Sequence, residues 1–458
     1  MSLPRLLIAG TGGDSGKTLV ALGLIKSLRH KEYQVAAFKK GPDYIDPAWL
    51  KLASGSDVRN LDTWMMGEEA IIRSFKKHAI SDGINLIEGN RGLLDGEDAK
   101  GSHSSALIAK LLKTPVILVM PVVKVTRTAA AMVAGIQALE PELNLAGVII
   151  NRYAGPRHLR VIRDAIEYST GVPVLGAIPK LTDNPLPGRH LGLITPEENA
   201  DAVASIEFAG RIINDNVDVS KVIQIAKGAD ELEWDEELNQ KEKKTPEVRI
   251  AYFSGSAFTF YYPENLEALE DAGAQLIAVD PKTDRKFPKC HALYIGGGFP
   301  ETNLDRLSRN QALMVQIKEA VEKNLPVWAE CGGLMYLSKG IWNAGRASPM
   351  AGIFDAAVQM HTKPQGHGYM EIVVSKENPF LTTGLKLRGH EFHYSAIEEM
   401  TDLKTVFEVK RGVGVGDSRD GYTYKNVVAS YFHLHATSCP EWAIGMVNAA
   451  RAYKKACQ

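Results

Sequence analysis

Cysteine is scarce in this chain: Cys290, Cys331, Cys439 and Cys457 are the only four in 458 residues, and none forms a CxxC pair. That excludes a disulfide framework and a zinc knuckle, so each cysteine has to be judged by its own surroundings. An excess of charge of one sign is also missing. A formal net charge of -1 leaves no broad basic field for gripping phosphodiester backbones or anionic lipid, so neither nucleic acid nor a membrane is an expected partner. The opening MSLPRLLIAG is too short an apolar run to span a bilayer and leads into a glycine-rich loop instead of a cleavage site. A cytoplasmic protein with small-molecule partners is the expectation.

What is present is an ordinary globular composition, 45% hydrophobic and 23% charged. One core rarely organises a chain of this length, since domains cluster at roughly 100 to 200 residues. Short runs rich in Ile, Val and Leu (RLLIAG, INLIEG, PVILVM, AGVIIN) alternate with helix-like stretches, the pattern of buried parallel strands in βαβ units. A second series begins at VRIAYF and continues through QLIAVD, ALYIGGG, LPVWAECGG and VVASYFHLH. The fold class expected is α/β, with two layered α/β domains at 1–224 and 249–458 and a charged linker at 225–248.

The first series opens on Gly10-Thr11-Gly12-Gly13-Asp14-Ser15-Gly16-Lys17-Thr18, set between a strand-like run and the helix-like TLVALGLIKSLRH. That is the setting of a phosphate-binding loop, although Thr11 stands where the usual pattern has its first glycine. Backbone amides of Gly12, Gly13, Ser15 and Gly16 would cradle phosphate oxygens of ATP. Lys17 would neutralise the β and γ phosphates, and the Thr18 hydroxyl would take one position on Mg²⁺. A glycine-rich turn that only permits close packing is the plainer alternative, and GKT in this context outweighs it.

Magnesium needs further hard oxygens, and the candidates are Glu88 at the end of INLIEG and the aspartates of Lys39-Lys40-Gly41-Pro42-Asp43-Tyr44-Ile45-Asp46-Pro47. An aspartate beside proline is more often a turn former. Two of them at the same sheet edge as Glu88 reverse that preference. Thr18, Asp46 and Glu88 are the expected metal ligands, and Asp43, Tyr44, Asp46 and Arg91 the expected edge for a substrate carboxylate undergoing phosphorylation. Lys39 would add a second cation beside the phosphates; its alternative is an ordinary surface lysine. Arg91 either grips a substrate carboxylate bidentately or is a surface charge.

In the second series Glu330-Cys331-Gly332-Gly333 ends a strand and opens a helix, which exposes the Cys331 sulfur on a sharp turn near a helix start. A buried structural cysteine is the commoner fate of a lone Cys. The balance tips on two further elements: the turn at Gly296-Gly297-Gly298 and the imidazole of His433 in SYFHLH. Cys331 as nucleophile, His433 as base, and the amides of Gly297 and Gly332 as oxyanion donors form a complete acyl-transfer constellation. In Gly389-His390-Glu391-Phe392-His393, strand alternation would send the two histidines to opposite faces, which argues against a shared metal.

The ordered motifs GT-x4-GKT, KxGPDYIDP, EGxxGLxDG, FxFYYPENLE, GGGFPE, ECGGLMYL and SYxHLH resemble the cobyrinate a,c-diamide synthase family over nearly the whole chain. The resemblance implies a dethiobiotin synthetase-like P-loop domain followed by a class I glutamine amidotransferase domain, with Cys331 and His433 as its catalytic pair. In the wider class a glutamate stands two residues after that histidine; here the position is His435, which implies a pair without that carboxylate. The implied substrates are cobyrinate, L-glutamine and ATP, the implied cofactor is Mg²⁺, and a homodimer is the assembly expected. The implied chemistry is an acyl phosphate intercepted by ammonia that the glutaminase domain releases. Ni-sirohydrochlorin, sirohaem and hydrogenobyrinate are alternative substrates, because Asn90, Arg91 and Lys40 depart from the usual family pattern. A P-loop switch of the partitioning type is the alternative of another class, but Gly12 stands where such switches carry an extra lysine.

Overall fold

The computed structural model describes residues 3–182, 186, 188–189, 192–232, 245–398 and 404–457. The chain divides into two compact units, Met1–Asn239 and Gln240–Gln458. Of the segment expected as a linker, residues 233–244 lie outside the described residues; its start carries the end of the helix Val219–Lys227, and the strand Val248–Phe253 begins at its last residue.

The main sheet of the first unit has seven strands among the described residues: β1 Arg5–Gly10, β2 Gln34–Lys40, β3 Arg59–Leu61, β4 Gly83–Gly92, β5 Val116–Pro121, β6 Leu145–Tyr153 and β7 Val174–Pro179. All pair in parallel, in the order β3-β2-β4-β1-β5-β6-β7. A parallel sheet covered on both faces must be apolar throughout, and Leu6, Leu7, Ile8, Ile117, Leu118 and Val119 are fully buried. The placement of β4 between β2 and β1 decides the site. It sets Glu88 in register with Lys39 on one side and Ile8 on the other, so the carboxyl ends of these strands meet beside the loop after β1.

The second unit holds a nine-stranded sheet in the order Ala274–Val279, Val248–Phe253, Ala292–Ile295, Val327–Glu330, Val427–Ser430, Arg419–Tyr424, Lys404–Arg411, Gly366–Val374 and Lys386–His393. The first five run parallel and the remainder pair antiparallel. A four-stranded sheet, Arg346–Pro349, Ser338–Asn343, Phe354–Met360 and Ser395–Glu398, stands apart from it. Trp328 and Trp442 are wholly buried in the core with ring centroids 6.0 Å apart. Among the described residues no helix is long and apolar enough to cross a membrane.

Candidate active sites

The loop after β1 turns sharply because its glycines leave no room for a side chain. A Cβ on Gly10 would lie 2.0 Å from Ser15 Oγ, and one on Gly16, itself left-handed at φ 93, would lie 2.3 Å from Asn151 Nδ2. Lys17 opens the helix Lys17–His30 and folds back over the loop, its Nζ donating to the Gly12 carbonyl at 3.0 Å and to Ser15 Oγ at 3.4 Å. Burial, followed by the charge of Lys39, lowers the Lys17 ammonium, against the raising charges of Glu88, Asp46 and Asp14.

Beside it lies a carboxylate cluster closed around Lys39. The Lys39 ammonium is 2.5 Å from Asp46 Oδ2, 3.3 Å from Glu88 Oε1 and 3.8 Å from Asp43 Oδ2, and it donates to the Gly89 carbonyl at 3.2 Å. Burial alone would lower its affinity for the proton; Asp46, Glu88 and Asp43 raise it well beyond the ordinary lysine value. This is no surface lysine, and its ammonium is engaged by carboxylates.

Thr18 Oγ1 donates to Glu88 Oε1 at 2.7 Å, while Glu88 Oε2 is buried with no hydrogen-bond partner. Burial first, and Asp46 among the charges, raises the Glu88 carboxyl. Among the described residues no three His, Cys, Asp or Glu side chains form a metal site by themselves. The orphaned Glu88 oxygen beside a threonine hydroxyl nonetheless fits a hard cation whose other ligands are phosphate oxygens.

Asp43 also acts as the turn former that its neighbouring proline suggested. Its Oδ1 accepts from the Ile45 and Asp46 amides at 2.9 and 3.1 Å and starts the helix Ile45–Ser54, for which Tyr44 is the N-cap residue. Burial and the Asp46 charge push its carboxyl up to about 7. Arg91 is exposed at the end of β4 in a left-handed conformation, φ 50. Lys40 is buried: burial lowers its ammonium, Asp62 opposes that, and the charges of Arg91 and Lys39 add to it. Asn151, at the end of β6, has a role that sequence alone did not disclose. Its Nδ2 donates to the Ser15 carbonyl at 2.9 Å and buttresses the phosphate loop.

In the second unit Cys331 sits between the strand Val327–Glu330 and the helix Gly332–Leu337 with φ 47, a strained elbow for a residue with a side chain. A Cβ on Gly333 would lie 2.5 Å from the Ile295 carbonyl, and one on Gly332 would lie 3.1 Å from the Gly298 amide. A Cβ on Gly297 would lie 2.7 Å from His433 Cε1. The glycine turn therefore touches both the cysteine elbow and the imidazole. The thiol departs from expectation. Burial, then the charge of Glu301, pushes it far up, against the lowering effect of the Gly332 amide.

His433 was expected at a strand end, but the strand stops at Ser430. The histidine lies three residues further on, in an isolated antiparallel bridge where its N–H donates to the His390 carbonyl at 2.8 Å. The two imidazoles stack with centroids 4.8 Å apart, while His393 stacks on Tyr431 at 3.6 Å. His435 lies against Tyr262 and has its Nε2 3.8 Å from Glu264 Oε2.

Residues 6–193 match the family described as CobQ/CobB/MinD/ParA nucleotide binding domain, and residues 249–440 match the CobB/CobQ-like glutamine amidotransferase domain. The cobyrinate a,c-diamide synthase of Magnetococcus marinus is 39% identical over 447 residues, 96% of each chain. Its namesake in Leptospira interrogans is 38% identical over 98% of each chain. That of Archaeoglobus fulgidus is 37% identical, covering 96% of this chain and 95% of the relative. The chain belongs to the cobyrinate a,c-diamide synthase family. As a member of that synthase family it is a glutamine-dependent amidating ligase with a P-loop nucleotide-binding domain and a class I amidotransferase domain. The P-loop switch reading falls.

Proposed function

We propose that the chain amidates the a and c side-chain carboxylates of cobyrinate in cobalamin biosynthesis, consuming one ATP and one glutamine per amide. The observation that carries this reading is the near-complete match to relatives named for that reaction, 96% of each chain in the first of them.

In the N-terminal half, taken as residues 1–224, Lys17 would leave the Gly12 carbonyl for the β and γ phosphates, which the amides of Gly12, Gly13, Ser15 and Gly16 cradle. Mg²⁺ bound with ATP would supply neutralising charge there, held by Thr18 Oγ1, Asp46 and Glu88. Lys39 would keep that carboxylate cluster from repelling the nucleotide. Asp43, Tyr44 and Arg91 would position the corrin carboxylate, whose oxygen takes the γ-phosphoryl group and releases ADP. In the C-terminal half, taken as 249–458, His433 would accept the Cys331 proton as the sulfur attacks the glutamine amide carbon. The Gly297 and Gly332 amides would hold the oxyanion, ammonia leaves with the proton from His433, and water hydrolyses the thioester to glutamate. Ammonia would then add to the acyl phosphate and expel phosphate. ATP and glutamine are intracellular metabolites, which supports a cytoplasmic enzyme; light scattering reads the proposed homodimer.

The test is amidation of cobyrinate followed by mass spectrometry, with ATP, Mg²⁺ and either glutamine or ammonia. Two successive acid-to-amide mass changes are expected with either nitrogen source. Cys331→Ala should lose only the glutamine reaction, by roughly 10³-fold or more, whereas Lys17→Ala should lose both. Amidation of Ni-sirohydrochlorin, sirohaem or hydrogenobyrinate instead of cobyrinate would keep the mechanism and replace the substrate. Amidation of none of them would sink the proposal.

A further inference from the structure

An imidazole that serves as base at one ring nitrogen needs a partner at the other, which fixes the tautomer and stabilises the imidazolium. The position two residues after His433 is His435, whose own ring sits beside Glu264. The carboxylate that faces His433 comes from elsewhere. Glu330, the residue immediately before Cys331, is fully buried, and its Oε2 lies 3.5 Å from His433 Nδ1.

The rest of Glu330 is fixed in a way that aims this oxygen. Its Oε1 accepts from Trp328 Nε1 at 2.8 Å and from the Tyr294 hydroxyl at 3.4 Å, two donors rooted in buried aromatic rings. Its Oε2 is buried with no hydrogen-bond partner, an arrangement that is costly unless a cation or N–H comes to meet it. The imidazole is bounded on its other sides as well: Cε1 lies over Gly297 and one face stacks on His390. Such contacts are commonly loose before substrate arrives and tighten in the reacting complex.

Resting on the glutaminase reading of Cys331 and His433, we propose that Glu330 is the positioning residue for His433. It holds the Nδ1–H tautomer so that Nε2 takes the thiol proton, and it offsets the positive charge the ring then carries. The strand that presents the nucleophile thus also supplies the carboxylate that orients its base.

The experiment uses the full chain and measures glutamate release against glutamine concentration, with ammonia-dependent amidation as the check that the protein is folded. Glu330→Gln keeps an oxygen for Trp328 and Tyr294 but offers His433 an amide in place of a carboxylate. The expected result is a kcat lower by about 10²- to 10⁴-fold with KM for glutamine within about threefold of wild type. Glu330→Asp restores the charge on a shorter arm and is expected to recover at least about tenfold over the glutamine variant. A kcat for Glu330→Gln within about threefold of wild type, a loss confined to KM, or an aspartate variant no better than glutamine overturns the proposal. A measurement on the unmodified protein stands beside these: ¹⁵N spectra should show His433 protonated at Nδ1, and an Nε2–H tautomer overturns it. Absence of glutamate release from wild-type protein whose ammonia-dependent amidation is intact would remove the glutaminase reading itself, a result distinct from failure of Glu330 alone.

Discussion

At Gly297 the missing side chain matters more than backbone freedom, because a Cβ there would press on His433 Cε1 at 2.7 Å and on Phe260 Cδ2 at 3.2 Å. Gly297→Ala should therefore cost the glutamine reaction about 10²-fold while ammonia-dependent amidation continues, read by assaying both nitrogen sources side by side. A buried charge gives a second residue-level prediction. Arg5 is fully buried, donating to the carbonyls of Leu112, Leu3, Lys113 and Asp230 at 2.7, 2.9, 3.0 and 2.6 Å, and burial lowers it to about 10. Arg5→Met should destabilise the first unit by about 3 kcal/mol, since four carbonyls lose a charged donor, and chemical denaturation measures it. The cysteine elbow and the glycine turn were legible because each sits where a strand meets a turn, and His433 because its residue type has chemistry of its own. The contacts of Glu330 with His433 and of Asn151 with the phosphate loop were not legible, because they join segments far apart in the chain; Asn151 reaches a carbonyl 136 residues away.

The helix Lys17–His30 shows the same limit one scale up. Its apolar pattern and the preceding phosphate loop announce a helix, but nothing local says that it lies against Ala202–Asn216 through a glycine. A Cβ on Gly23 would fall 2.4 Å from Ile213 Cγ1 and 2.5 Å from the Ala209 carbonyl, and backbone cannot move aside as a side-chain end can. Gly23→Ala should force the helices apart, lower stability by about 1–3 kcal/mol and raise the KM for ATP, because Lys17 starts the displaced helix. Gly135 is the control. It lies within the helix Thr128–Leu139 with nothing within 4 Å of an added Cβ, so Gly135→Ala should stabilise by about 0.5–1 kcal/mol in the same melt. Opposite signs for one substitution in two helices would show that close approach, not helix propensity, sets the cost at Gly23. The parallel strands were legible for a reason of equal simplicity: burial on both faces demands unbroken Ile, Val and Leu. The path to His433 was not, because it leaves its strand at Ser430 and is held by a single bridge to His390.

For the whole molecule, near-neutrality is repeated at the edge that carries the phosphate loop. Lys17, Lys39, Lys40 and Arg91 share one sheet edge with Asp43, Asp46 and Glu88, and the formal net charge is -1 with an isoelectric point of about 6.9. Anionic substrates such as ATP and a polycarboxylate corrin therefore meet no strong global field. Because exposed charges are screened within roughly 10 Å at 0.1 M salt, so small a net charge does little to keep copies of the chain apart. Colloidal repulsion should consequently be weakest close to neutral pH, where activity is ordinarily assayed. Precipitation by polyethylene glycol across pH 5.5 to 9 should show a solubility minimum near pH 7 and a clear rise by pH 8.5, as histidines and amines lose protons and net negative charge grows. A minimum displaced by more than about one pH unit from the isoelectric point would mean that an uneven surface, rather than net charge, governs association.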